Sequence, residues 1–166
     1  MRSILAAAVL AFAAPATQAW ATNDHHAQAE AGTDEAKIAI VMEMAQAWHD
    51  LDWDKVADMF AEDGSLHSMM IDPVIGRETI RARIAGLGAG ISEITLNYHH
   101  VGVIDGLVFV ERTDEFVYNG RAGDVPVVGV IEIGEDGLIT EWREYYDRAE
   151  LLEALGMSED FDNGER

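Results

Sequence analysis

The second half of the chain carries four long stretches rich in β-branched and aromatic residues, "ISEITLNYHHVGVI", "LVFVERTDEFVY", "VPVVGVIEI" and "LITEWREYYD", separated by "DG", "NGRAGD" and "EDG". Each separator is a turn or hairpin signal, so residues 91–147 are confined to an antiparallel meander with a face to bury. The cover for that face lies upstream. From Asp34 onward Ile38, Val41, Met42, Ala45 and Trp48 recur at steps of three and four, which predicts a helix with those residues on its core face. "DWDKVADMFAEDG" predicts a second, shorter helix with Asp52 as its N-cap, Val56, Met59 and Phe60 inward, and its end at Gly64. "SLHSMMI" has strand character and runs into a turn at "DPVIG". "RETIRARIAGLGAG" carries Ile80, Ile84 and Leu87 at helical spacing and stops in glycines, and "RAELLEALG" predicts a short terminal helix. Helices first and strands after describe an α+β domain: a curved antiparallel sheet wrapped around three N-terminal helices, with a pocket between the two layers.

The start of the chain follows a different logic. Met1-Arg2, the apolar run "SILAAAVLAFAAPA" and Ala19-Trp20-Ala21 form the pattern of a secretory signal cleaved after Ala21, and the run is too short to span a bilayer. The expected organisation is a signal peptide over 1–21, a flexible leader over 22–33, the folded domain over 34–156 and a flexible acidic tail over 157–166. The product is then exported, and periplasmic in a host with two membranes. His25 and His26 fall in the polar leader, where an adjacent pair reads as bland rather than as metal ligands. The chain has no cysteine, which excludes disulfides, thiolate metal sites and cysteine nucleophiles, so catalysis has to rest on carboxylates, His, Tyr, Ser, Lys or Arg. A net charge of -20 argues against nucleic acid and anionic membranes as partners, since both repel it.

Two of the predicted strands contain a peculiarity. Side chains two apart share a face of a strand, so Val108, Val110, Arg112, Asp114, Phe116 and Tyr118 form one row. On the last strand Leu138, Thr140, Trp142, Glu144 and Tyr146 form another, opposite a solvent-like row of Glu141, Arg143 and Tyr145. Arg112 and Asp114 are then either an exposed ion pair of little energetic weight or, with Glu144, a charged unit inside an apolar cavity. The surface pair is the commoner use of such a pattern; the apolar company and the recurrence on a second strand favour the cavity, and pattern alone leaves both open. The cavity arrangement has a chemical consequence. One guanidinium can bond two carboxyl groups through its rigid fork. Two neighbouring carboxyls resist simultaneous ionisation, so one holds a proton while the other stays basic.

"MFAEDGSLHSM", "GRETIRARIAGL", "DGLVFVERTDEF" and "GLITEWREYYD" together resemble the limonene-1,2-epoxide hydrolase family of the nuclear transport factor 2-like superfamily, over about Asp34 to Leu155. The most specific part is Glu111-Arg112-x-Asp114 followed by Trp142-Arg143-Glu144-Tyr145-Tyr146-Asp147. The resemblance implies a cone-shaped fold and a catalytic triad of Arg112, Asp114 and Glu144. Water would attack an epoxide in one step, with Glu144 as base, Asp114 as acid and Arg112 holding both. It implies no metal, no other cofactor and no covalent intermediate.

The chain also departs from that family. Its base is usually Asp, one methylene shorter than Glu144, and the Tyr and Asn that hold the water fall here on Leu66 and Ser68, of which Leu66 cannot hydrogen-bond. His67 and His100 are candidate replacements. Alternation sets His67 on the face opposite Leu66 and Ser68, and His100, in the row of Leu96 and Tyr98, reads as a core histidine bonded to a neighbour. The substrate-binding wall is expected to include Leu66, Ser68, Met70 and Val110, with Ile80 or its neighbours. Phe116, Trp142, Tyr146 and His100 complete it, around a small apolar epoxide, aromatic or terpenoid molecule. The resemblance further implies a homodimer through the outer sheet face, where Val127 or Val128 and Ile131 or Ile133 lie on one side or the other. Two alternatives accompany the hydrolase: a cofactor-free lyase or isomerase, such as a formaldehyde-releasing retro-aldol cleavage or a ketone isomerisation, and a non-catalytic small-molecule binding module.

Overall fold

Where the long strands reverse is decided by two dipeptides. Asp105–Gly106 and Asn119–Gly120 hold all four residues at positive φ (51° and 82°, 49° and 79°), the geometry of two-residue hairpin turns whose twist matches that of the strands they join. The computed structural model describes residues 32–157. The chain runs through α1 (Asp34–His49), α2 (Trp53–Asp58), β1 (Phe60–Ser68), β2 (Val74–Ile75) and α3 (Arg77–Gly88). It continues with β3 (Ile91–Ile104), β4 (Leu107–Tyr118), β5 (Arg121–Ile133), β6 (Ile139–Tyr145) and α4 (Arg148–Leu155). The α+β layout is the expected one: N-terminal helices cover one face of a curved, unclosed sheet of order β2-β1-β6-β5-β4-β3. The expected signal peptide, the leader as far as residue 31 and the tail from residue 158 lie outside the described residues.

Several local expectations are corrected. "NGRAGD" is not a loop, because Asn119–Gly120 alone turn the chain and Arg121 to Asp124 already pair with β4. The second helix does not reach Gly64. It ends at Asp58, and Met59 O accepts from Ile139 N at 2.9 Å, which commits Phe60 onward to pairing with β6. That pairing is parallel, so the sheet is mixed rather than wholly antiparallel, and "DPVIG" adds the short β2 along the free edge of β1. On α1 the buried residues are Ala36, Val41, Met44 and Ala47, while Met42 is 46 % exposed; the face in contact with the sheet is rotated from the one the spacing predicts.

Strand alternation then fixes what the sheet turns inward. Val108, Val110, Arg112 and Phe116 on β4, Val125, Val127, Ile131 and Ile133 on β5, and Ile139 and Trp142 on β6 are all buried. One apolar cluster joins these strands to Val41, Met44, Val56, Ile80 and Ile84 of the helices, and a second gathers Ile94, Leu96, Phe116, Val125 and Val127 towards the other end. Fully buried side chains such as Ile131 and Ile139 each contribute about 1.5–3 kcal/mol relative to exposure. Polar ties hold the layers in register: Thr33 caps α1 by accepting from Ala36 N, Lys37 Nζ donates to Gly106 O at 2.7 Å, and Arg81 bridges α3 to Asp54 and Asp58 of α2.

The β1–β6 ladder slips between Phe60 and Ser65, where the chain crowds against its neighbours. A Cβ on Gly64 would sit 2.9 Å from Ile139 O and 3.0 Å from Ala61 O, both backbone atoms that cannot move independently of the ladder. Gly64→Ala is therefore expected to lower stability by about 1–3 kcal/mol, the cost of overpacking a site without room to relax, as a fall in the urea midpoint at unchanged m-value.

Candidate active site

The inward row of β4 includes Arg112, whose side chain is 2 % exposed. A cation so placed costs several kcal/mol unless it is paired, and two strands supply its partners. Arg112 Nε and Nη2 donate to Asp114 Oδ1 and Oδ2 at 2.6 and 3.0 Å, a two-pronged contact between residues two apart on one strand. Nη2 also donates to Glu144 Oε1 at 2.5 Å across β5. Trp142 Nε1 donates to the same Oε1 at 3.0 Å, and its ring lies 5.7 Å from the guanidinium carbon, within cation–π range. Both of these donations to Glu144 fall on Oε1. The question left open by the strand pattern is thus answered: Arg112, Asp114 and Glu144 form one unit on the covered face.

The space for that unit comes from a residue the sequence reading passed over. Gly129 of β5 lies opposite Val110 on one side and Glu144 on the other. A Cβ there would come within 2.8 Å of Val110 Cγ2 and 3.1 Å of Arg112 Nη1. Nη1 itself has no hydrogen-bond partner among the described residues and rests above this gap. A lone glycine inside the apolar strand "VPVVGVIEI" was the available signal, since glycine in a strand interior often marks a close approach.

Burial and neighbouring charge act on the Asp114 carboxyl. Burial pushes the Asp114 carboxyl above the usual carboxylate range; Arg112 pulls it back and Glu144 pushes it up again, with a net upward shift. For Arg112, burial acts against the charge, but Glu144 and Asp114 more than offset it, so the guanidinium is held more firmly protonated than usual. Tyr98, paired with Arg112 in the ladder, has its phenol pushed up chiefly by burial and stays neutral, its hydroxyl 3.5 Å from Val41 O.

The unit opens into a cavity of about 190 Å³ whose wall includes Leu66, Ser68, Phe116, Trp142 and Tyr146 from the expected set. Ser68 pairs with Glu144 across the parallel ladder and accepts a hydrogen bond from Tyr146 OH at 2.9 Å. Four expected residues stand elsewhere. Val110 faces inward but is packed at 1 % exposure in the core beneath the helices, and Ile80, fully buried, sits in the same cluster. Met70 falls in the turn after β1, 40 % exposed, and Ile71 takes the place on the wall. His100 is displaced by a bulge: Tyr98 pairs with Arg112 and His100 with Glu111, so the extra residue His99 breaks the alternation. His100 accordingly lies on the outer face, 82 % exposed, with Nδ1 2.7 Å from Glu111 Oε2. His67 is half-buried and not part of the wall, as alternation expects. The wall also receives Met44 and Trp48 from α1, Arg83, Ile84 and Leu87 from α3, and Arg148, Leu151, Leu152 and Leu155 from α4. Among the described residues no group of three or more His, Asp or Glu is placed to hold a metal ion.

Comparison with known proteins bears on the fold. The structure of an LEH-like epoxide hydrolase from M. tuberculosis superposes with a TM-score of 0.65 at 23 % identity, covering 74 % of this chain and 90 % of that one. The epoxide hydrolase/cyclase-like enzyme SalBIII, of pyran ring formation in the polyether salinomycin, gives 0.64 at 21 % identity, covering 70 % and 94 %. A protein of ketosteroid isomerase-like fold from Catenulispora acidiphila, in complex with trimethylamine, gives 0.64 at 22 % identity, covering 74 % and 95 %. At these identities the likeness shows the shared nuclear transport factor 2-like fold. The SnoaL-like domain model matches residues 41–142, from within α1 through α2, α3 and the long hairpins to Trp142 of β6, and the chain belongs to the SnoaL-like domain family.

Proposed function

We propose that the cavity opens a small apolar epoxide to a diol by a single attack of water, without a cofactor. The observation that carries this is Arg112 binding Asp114 and Glu144 together inside an otherwise apolar wall. Glu144 is the base. Its Oε1 is fixed by Arg112 and Trp142, and its carboxylate accepts the proton of a water as that water's oxygen bonds to an epoxide carbon. Asp114, with its raised pKa, is the acid and delivers its proton to the epoxide oxygen as the C–O bond breaks. The product is a diol, with Glu144 protonated and Asp114 ionised; one proton returned from the first to the second restores the starting state. Ser68 and Tyr146, whose hydroxyls meet beside Glu144, supply the polar contacts for the water that Leu66 cannot.

A second use of the same unit is favoured by Leu66 itself, an apolar side chain on the wall where a water-holding hydroxyl would serve hydrolysis. In a cofactor-free isomerase or lyase Glu144 takes a proton from a C–H or O–H of the substrate and Asp114 protonates its carbonyl oxygen, with no water fixed. The proposed setting is an exported protein, from the signal pattern of residues 1–21, that dimerises through the outer sheet face, where Val128 and Tyr145 are 42 % and 44 % exposed.

Incubation of the purified protein with terpene and aryl epoxides in oxygen-18 water is expected to give diol carrying one heavy oxygen. Asp114→Asn, which keeps the shape but loses the proton, is expected to cut kcat/KM by about 10²–10⁴-fold with an unchanged circular dichroism spectrum. Full activity in that variant would overturn the role of Asp114, and absence of turnover on every epoxide would move the assignment to the isomerase or lyase.

The sign of the pH dependence follows from the raised pKa of Asp114. The acid form is the active one, so kcat/KM falls as pH rises through that raised value, placing the alkaline limb above the ordinary carboxylate value of about 4. A pH–rate profile that climbs steadily from acidic to alkaline pH would contradict Asp114 as proton donor.

A further inference from the structure

The turn that joins β1 to β2, residues 69–73, brings to the cavity a side chain with no part in the chemistry proposed above. Ile71 is on the wall, while its neighbours Met69 and Met70 are 38 % and 40 % exposed. The main chain of this turn hangs from the two strands that hold Ser68 and Glu144. Met69 N donates to Glu144 O and Ile71 N donates to Ser68 O, each at 3.0 Å. Its far end returns to β1, where Leu66 pairs with Val74, Ser65 with Ile75, and Gly76 N donates to Gly64 O at 2.8 Å.

All of these ties are made by the main chain, so none depends on which side chain stands at position 71. A backbone fixed by a rigid sheet under a side chain free to vary is the usual condition for tuning what a cavity admits. Isoleucine is a restrictive choice there. Branched at Cβ, it is stiff at χ1 and does not swing aside as the flexible methionines beside it do.

Placement gives that bulk a direction. Ser68 and Glu144 pair across the parallel ladder and the turn is bonded to both, so Ile71 stands on the Glu144 side of the cavity. A carbon attacked by water that Glu144 activates turns towards that side, and whatever else the carbon bears meets Ile71. We infer that Ile71 is a specificity-determining residue, which restricts the cavity to apolar substrates unbranched at the carbon facing Glu144. The restriction of bulk at that place rests on the cavity alone; its bearing on the attacked carbon rests on the epoxide hydrolase proposed above.

Binding and regiochemistry test the two separately. Trp48 and Trp142 line the cavity, so intrinsic fluorescence reports its occupation. The probes are 1-octanol, 2-octanol and 2-methyl-2-heptanol, isomers that differ in branching at the carbon bearing the hydroxyl. The full chain is expected to bind the primary alcohol about tenfold or more tighter than the tertiary one, the discrimination that extra methyl groups meet in a closed apolar pocket. That ratio is expected to fall towards one in Ile71→Ala and to rise in Ile71→Phe. Ile71→Val, which keeps the branch at Cβ, is expected to give an intermediate ratio and carries the test should Ile71→Ala not fold.

A wild-type ratio in every variant, a uniform change for all three alcohols, tighter binding of the tertiary alcohol by the wild type, or no binding of any of them would each overturn the inference. With 1,2-epoxyoctane in oxygen-18 water, the heavy oxygen is expected at the terminal carbon in the wild type and to shift at least threefold towards the substituted carbon in Ile71→Ala. An unchanged placement would overturn the link to the attacked carbon. Selectivity among the alcohols without turnover of any epoxide would uphold the restriction and remove only the hydrolase; turnover with a flat alcohol ratio would do the reverse.

Discussion

A single guanidinium shared by two carboxyl groups organises this molecule. Buried alone, Arg112 would cost more than the marginal stability of a domain tolerates; with Asp114 beside it and Glu144 across the sheet it is held on two strands at once. The shared contact demands that β4, β5 and β6 keep one register, because a slip of one residue on β4 or β6 turns a partner to the outer face. It also demands that the strand between them carry no side chain at the crossing point, which is the position of Gly129. The same contact gathers two carboxyls and a cation in an otherwise apolar wall.

Much of the fold was legible because its signals are local. Period-two rows and turn dipeptides gave β3, β4 and β6 nearly to the residue, and alternation set Arg112 with Asp114 on one row and Glu144 on another while leaving open whether those rows faced inward. What was not legible depends on partners distant in the chain. Phe60 to Gly64 continue a helical pattern in isolation and become strand only because β6 arrives beside them. His100 was assigned to the core by a count of two, and the bulge at His99 that reverses this leaves no mark on the spacing. Docking of α4 against β5, which brings Leu151, Leu152, Leu155 and Arg148 to the cavity, is likewise a tertiary fact with no local signature.

The wall around the unit divides by origin. The sheet contributes Arg112, Asp114 and Glu144 on paired strands; the helices contribute much of the apolar cover together with Arg83 and Arg148. Substitutions in α3 and α4 can therefore reshape what the cavity admits without disturbing the register that sets Arg112 between its carboxylates. Ser68 is an exception on the sheet side, placed opposite Glu144 by the parallel ladder and tied to Tyr146.

That parallel ladder also orders events in time. Every other long strand pairs with the strand next to it in the chain, whereas β1 must wait for β6, which is made last. Contacts so far apart in sequence form late, after the loop between them has been closed by local hairpins. Glu144 lies on β6 itself, so a nascent chain that has completed the first two long hairpins holds Arg112 and Asp114 but not Glu144. The buried unit is complete only when the last strand slots between the first and the fifth, in the same step that completes the sheet.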